Sequence, residues 1–280
     1  MSRPQHRIVC YGISDTGLQR RNNEDHFMVA DLTRQVVGVH ANRVVPEILC
    51  HDVGARGTLL AVADGLGGYD GGEIASRIAV ETTVQALFET PTAHPSLAEQ
   101  LSRAVEHAHQ AIYQQRHHGS GGTHMASTLT AVHISVGMMT VGQVGDSRAY
   151  LWRDGQLTLL TEDQTFVHML QKRGMLTAEE ARTHPNRHVI LQALGQDDNV
   201  SCEVSAVPYQ HGDSVLLCSD GLSSYVTHED MESILMSHDD EMTRCRSLVD
   251  AANACGGVDN VTVLLARLLI DQYDKPSEKC

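Results

Sequence analysis

Aromatic residues are scarce. Phe, Trp and Tyr make up 4% of the 280 residues, so Val, Leu, Ile, Ala and Met must build the core. No apolar run reaches the ~20 residues of a membrane-spanning helix, and no membrane association is expected. The opening residues, Met1 to His6, lack the apolar stretch of a signal peptide. Seven cysteines are scattered with no C-x-x-C pair, which argues against a disulfide framework or a zinc ribbon and for a reducing cytoplasm. Cys218, inside an apolar strand pattern, reads as a small core residue. Basic residues are outnumbered, 21 against 35 acidic, for a formal net charge of −14. That excludes nucleic-acid binding through a broad basic surface. The 17 histidines lack zinc-site spacings; His107, His109, His117 and His118 read as polar surface.

What the chain has instead is acidic residues beside turn formers. Four segments repeat this: Asn22-Asn23-Glu24-Asp25, Ala63-Asp64-Gly65-Leu66-Gly67-Gly68, Ser219-Asp220-Gly221 and Gly256-Gly257-Val258-Asp259-Asn260. Each adjoins an apolar run that reads as a strand, which delivers its terminal carboxylate to a fixed point. A cluster of buried carboxylates is costly unless cations neutralise it.

Strands are expected at residues 8–14, 26–30 and 58–63, then as a meander at 127–135, 138–144, 149–153 and 156–160. Further strands are expected at 201–207, 214–218 and 261–268. Helices are expected at 73–88, with a stripe of Ile74, Ile78, Val80, Val84 and Leu87, and at 97–115, with Leu101, Val105, Ala108 and Ile112. Shorter ones fall at 167–173, 178–182, 228–236 and 243–254. Consecutive strands with paired helices between them predict antiparallel sheets covered by helices, a layered α+β architecture. One domain spanning 1–270, with a polar tail at 271–280, is the expected organisation.

Asp25, Asp64, Asp220 and Asp259 offer only oxygen, the donor that Mg²⁺ and Mn²⁺ prefer. Gly65 leaves its carbonyl free to face a metal, and Gly67 and Gly68 leave room for a substrate. Two ions roughly 3.5–4 Å apart can share a water and lower its pKa. Arg20 and Arg21 lie just before the first carboxylates, and a guanidinium fork matches two phosphate oxygens. Asp146, in Gly145-Asp146-Ser147-Arg148, is a fifth carboxylate, read otherwise as a turn residue or a partner of Arg148. Asp154-Gly155 lies between two short strands and reads as a hairpin turn.

Seven motifs occur in order: Arg20-x-x-Asn23-Glu24-Asp25, Asp64-Gly65-x-Gly67-Gly68-x-x-x-Gly72, Met125-Ala126-Ser127-Thr128, Val144-Gly145-Asp146-Ser147-Arg148, Leu160-Thr161-x-Asp163, Ser219-Asp220-Gly221 and Gly257-x-Asp259-Asn260-Val261-Thr262. Together they closely resemble the protein phosphatase 2C family, metal-dependent Ser/Thr phosphatases, in its bacterial form. The resemblance runs from about Ile8 to Leu268. It implies a central antiparallel β-sandwich flanked by pairs of helices. It implies that Asp64 bridges two Mn²⁺ or Mg²⁺ ions, that Gly65 offers its carbonyl, and that Asp220 and Asp259 ligate one ion. Asp25 matches a carboxylate near the metals, Glu24 one acting through a water, and Asp146 with Asp220 a third metal site. Arg20 matches the phosphate-binding arginine, and 165–184 a flap beside the site. The expected reaction is direct attack on phosphorus by a metal-bridging hydroxide, on phosphorylated protein substrates, opposing a cognate Ser/Thr kinase.

Leu66 and Gln164 stand where the family carries His, which leaves the general acid unassigned. Cys50 to Arg56 matches C-x₅-R, the thiol phosphatase loop, but a strand pattern follows it rather than the helix that chemistry needs. Two further alternatives are a non-catalytic phosphoprotein binder and a structural protein with solvated acidic turns.

Overall fold

Most strands are near-continuous buried runs, and their two faces bury against different neighbours. The computed structural model describes residues 4–41, 48–67, 71–91, 96–118, 125–237 and 240–271. Gly68, most of the 117–123 loop and the 272–280 tail lie outside them. Strands β1 (Gln5–Asp15), β2 (Asp25–Asp31), β3 (Val36–Ala41), β4 (Leu49–Asp52) and β5 (Thr58–Leu66) come first, then helices α1 (Gly71–Glu89) and α2 (Leu97–His118). Next are β6 (Ala126–Ser127), β7 (Leu129–Ser135), β8 (Met138–Val144), β9 (Arg148–Arg153) and β10 (Gln156–Leu159), with short helices α3 (Phe166–Lys172) and α4 (Ala178–Thr183). The chain continues through β11 (Glu203–Pro208), β12 (Ser214–Cys218), α5 (Asp220–Ser223), α6 (His228–Ser237), α7 (Glu241–Ala254) and β13 (Val261–Asp271).

One antiparallel sheet runs β10-β9-β12-β13-β1-β4, and the other runs β11-β8-β7-β5-β2-β3, with β6 on β5. Ile8, Phe27, Leu60, Val62, Leu217 and Leu264 fill the layer between the sheets. The opposite parity faces outward. Met28, Leu59 and Ala61 pack under α1 and α2, while Tyr11, Leu216 and Leu265 pack under α6 and α7. The result is the α-β-β-α sandwich expected. Stripe residues Leu101, Val105, Ala108 and Ile112 of α2 are all buried. In α1 the stripe shifts: Ala75 and Ala79 join Val80, Val84 and Leu87 in the core, while Ile74 and Ile78 are only partly buried. The small side chains let α1 sit close to its sheet.

Several expectations are corrected. The meander at 127–160 is not one sheet: β7 and β8 belong to one, β9 and β10 to the other. The crossing falls at Gly145 to Ser147, and alternation cannot reveal it because both sheets bury the same parity. β5 does not end at Asp64. It continues through Gly65 and Leu66, which pair with Ser127 and Ala126. Edge strands β3 and β4 went unseen, being short and weakly patterned. His109 is not surface; it is 1% exposed, and its Nδ1 accepts from the Gly195 amide at 3.1 Å.

Cys10, Cys202, Cys218, Cys245 and Cys255 are free, whereas Cys50 is disulfide-bonded. Cys50 lies on a strand and heads no helix. Arg56 donates to the carbonyls of Leu87, Phe88 and Thr90 at the C-terminal end of α1, where a cation offsets the helix dipole. The C-x₅-R match is thus divided between an edge strand and a helix cap. Among the described residues, no helix is long and apolar enough to cross a membrane.

Candidate active site

At one end of the sandwich the inward-facing positions stop being apolar. On β5 the inward series Leu60, Val62 leads to Asp64, and on β2 Phe27 and Val29 lead back to Asp25. Asp25 and Asp64 are direct cross-strand partners. Two like charges placed opposite each other destabilise a sheet, so this pair needs a compensating charge. From the facing sheet, Ser14 and Thr262 occupy the same end and are themselves paired.

Asp25 is completely buried. Its Oδ2 accepts from Ser219 Oγ at 2.6 Å and Thr262 Oγ1 at 2.7 Å. Thr262 Oγ1 lies 2.7 Å from Ser14 Oγ, which also accepts from Asn23 Nδ2 at 2.8 Å. Asn260 fastens the first acidic segment to β13. Its side chain donates to the Thr16 and Asn22 carbonyls and accepts from the Glu24 amide, all at 2.8–2.9 Å. The motif asparagines therefore brace the carboxylates rather than join them.

Asp64, Asp220 and Asp259 each keep part of their surface open, whereas Asp146 is 7% exposed. The Asp64 carboxyl is held well above the usual carboxylate range, first by desolvation and then by repulsion from Asp25, Asp220, Asp146 and Asp259. Desolvation also pushes Asp25 up to about 7, against the two hydroxyls and with help from Asp220 and Asp259. Asp220 is raised by burial and then by Asp259. Asp146 is raised by burial, then by Asp220 and Asp163. Glu24 is raised by burial, which the nearby Arg20 opposes. Asp64 thus feels the charge of Asp25, Asp146, Asp220 and Asp259 and shares a hydrogen bond with Asp220, while Glu24 lies beside Arg20 and Asp259.

Oδ1 of Asp25, Asp146 and Asp220 is buried without a hydrogen-bond partner. Orphaned buried acceptors are expensive, and a divalent cation satisfies such oxygens without supplying a proton. The donors are all hard oxygen, which fits Mg²⁺ or Mn²⁺. Among the described residues, no three His, Cys, Asp or Glu side chains converge to make a closed shell. A cation here would be held by one or two carboxylates, with carbonyl and water supplying the remaining oxygens.

Arg20 is half-exposed and donates to Asp259 Oδ2 at 2.8 Å. Arg21 is exposed. Arg148 forms a forked pair with Asp163, Nε to Oδ1 at 2.8 Å and Nη2 to Oδ2 at 2.6 Å. The reading of Asp146 as a partner of Arg148 is thereby excluded. Gln164 clamps the crossing that carries Asp146: its side-chain Oε1 accepts from the Gly145 amide at 2.8 Å, and its backbone N–H donates to the Gly145 carbonyl at 3.0 Å. Sequence reasoning missed this bracing role; the close pairing of the two turns was its only signal.

Gly65 has a steric requirement. A Cβ there would stand 2.0 Å from the Gly72 carbonyl oxygen at the start of α1. Gly65→Ala should cost ~1–3 kcal/mol, read as a lower urea midpoint. An unchanged midpoint would show that α1 yields freely.

A layered α+β sandwich ending in a cleft of oxygen-only ligands beside an arginine defines a metal-dependent phosphohydrolase. Residues 48–253 match the family model for protein phosphatase 2C, and the chain belongs to that family. It is 34% identical over 209 residues to the serine/threonine phosphatase stp of Listeria welshimeri, covering 74% of this chain and 83% of that protein. It is 36% identical over 260 residues to serine/threonine protein phosphatase PstP of Mycobacterium tuberculosis, covering 93% of this chain. The chain spans 45% of the length of that mycobacterial relative. The structure of the catalytic domain of PstP in complex with two manganese ions superposes with a TM-score of 0.75 at 32% identity, covering 94% of this chain and 99% of that one.

Proposed function

We infer that this protein is a Mn²⁺- or Mg²⁺-dependent phosphatase acting on phosphoserine and phosphothreonine in proteins. The single observation that carries this reading is the direct cross-strand pairing of Asp25 and Asp64 at the end of the sandwich where Oδ1 of Asp25, Asp146 and Asp220 is buried without a partner. The two manganese ions of the PstP catalytic domain support the same ligand chemistry.

Asp64, the Gly65 carbonyl, Asp220 and Asp259 are the groups that would hold a metal pair. Asp25 and, through water, Glu24 support it, and Asp146 with Asp220 would hold a third ion. When bound, the ions supply an activated water and neutralise charge on the phosphoryl oxygens. The remaining work belongs to the chain. Arg20 turns from Asp259 to the phosphate and stabilises the charge that develops in line with attack. Ser219, Thr262 and Asn260 keep the carboxylates from relaxing away from one another. Neither Leu66 nor Gln164 carries a group able to move a proton, and Gln164 is engaged by Gly145. Proton delivery to the leaving oxygen falls to another group.

Arg20→Ala should raise KM for a phosphothreonine peptide about tenfold, with a smaller fall in kcat. An unchanged KM would mean that Arg20 serves only Asp259. The reaction itself is tested by phosphate release from that peptide with Mn²⁺ and with EDTA. Binding without release would favour the non-catalytic alternative. A cognate Ser/Thr kinase as opponent, and a cytoplasmic location, complete this reading. They are supported by the bacterial Ser/Thr phosphatases among the relatives.

A further inference from the structure

A cavity of about 440 Å³ opens beside the carboxylates, between the α3–α4 segment and α5–α6. Its size falls within the roughly 300–1,000 Å³ of ligand sites. Asp146 and Asp220 are part of its lining, so the cavity reaches the carboxylates assigned above to cation binding. Its floor is apolar: Val167, Ala181, Val226 and Met231 line it and are buried. Ser223, Ser224 and Thr227 add hydroxyl groups to one wall.

The charges of the lining separate by position. Arg148 is consumed by Asp163. Asp146 and Asp220 belong to the cation site. His168 and His228 already face Glu162 and Glu232, at 3.2 and 3.6 Å. That leaves His188, Arg182 and Arg187, all exposed, and of these the two arginines carry a permanent charge. Among the described residues, Arg187 has no ion-pair partner within 4.0 Å, and Arg182 reaches only the exposed Glu179, at 4.0 Å. Arg187, with the loosely paired Arg182, places guanidinium groups on the lining of a cavity that also reaches Asp146 and Asp220, on a chain of net charge −14.

We propose that this cavity seats the polypeptide flanking the phosphoresidue and that Arg182 and Arg187 select substrates with acidic side chains in that flank. The proposal rests on the phosphatase reading and adds the substrate class to it. The apolar floor accommodates the flanking backbone and small side chains, while the exposed guanidinium groups supply forked donors for a carboxylate. Attraction between exposed groups contributes to discrimination more than to rate, and salt screens it.

The test compares kcat/KM in Mn²⁺ for two phosphothreonine peptides, one with Glu at the two positions on each side of the phosphoresidue and one with Gln there. The parent protein should prefer the Glu peptide by roughly three- to tenfold, since each exposed pair is worth little alone. The preference should shrink at 0.5 M NaCl. In Arg182→Gln/Arg187→Gln the ratio should fall to about 1, and in Arg182→Glu/Arg187→Glu a Lys-flanked peptide should become the better of the three. Equal rates for the two peptides with the parent protein, or a preference that survives in both variants, overturn the proposal alone. No release from either peptide overturns the phosphatase reading and the proposal together.

Discussion

Asp64→Asn should lower kcat/KM for a phosphothreonine peptide by a thousandfold or more, about 4 kcal/mol of transition-state stabilisation. Asp64 is the carboxylate that every other member of the cluster acts upon, and it faces Asp25 directly across the sheet. An amide retains the shape but loses the charge that holds a cation. Asp220→Asn should behave alike, because its buried Oδ1 has no protein partner to compensate for the lost charge. Unfolding does not account for such a loss. Removing one of several repelling carboxylates should raise the melting temperature of the metal-free protein. Full activity in either variant, or a metal-free variant that melts below its parent, would sink the assignment of these residues to cation binding.

Chelation should have an equally large effect, and its pH dependence has a definite sign. Asp25 and Asp64 are raised above their unfolded values, mainly by burial. A carboxyl raised in this way contributes stability below its unfolded pKa of about 4, and that contribution is lost as pH rises through the folded value. For Asp25 the window runs from there to about 7. The metal-free protein should therefore weaken as pH rises from about 4 to about 7. Divalent ions bind only the native arrangement, so 100-fold excess over Kd adds ~2.7 kcal/mol, a melting shift of roughly 5–10 °C. The shift should be larger at pH 7.5 than at pH 5.5, where protons compete for the same oxygens. EDTA should abolish phosphate release throughout. A melting temperature indifferent to Mn²⁺ at pH 7.5 would instead favour solvated acidic turns.

Much of this arrangement was legible in the linear order because its determinants are local. Short apolar runs and their flanking turn residues located β1, β2, β5 and β12, and helical spacing located α2 and α7, since these signals act over a few residues. The two Asp-Gly steps show where this stops. Asp154 and Gly155 both have positive φ and close the β9–β10 hairpin. Asp64 and Gly65 lie within a continuing strand, and Gly65 is required by the carbonyl of Gly72 above it. The dipeptide is the same in both places; what differs is the packing around it.

The residues alone determined the layered class, the oxygen-only ligand set and the candidate arginine, because strand period and donor chemistry are properties of individual side chains. Tertiary structure decided the rest. It split the expected meander between two sheets at Asp146, gave Arg148 to Asp163, gave Arg20 to Asp259, buried His109 and brought Arg182 and Arg187 to the lining of the cavity. These outcomes depend on which strands meet across the sandwich, and pairings between distant segments are chosen by the whole packed core rather than by any one stretch of chain.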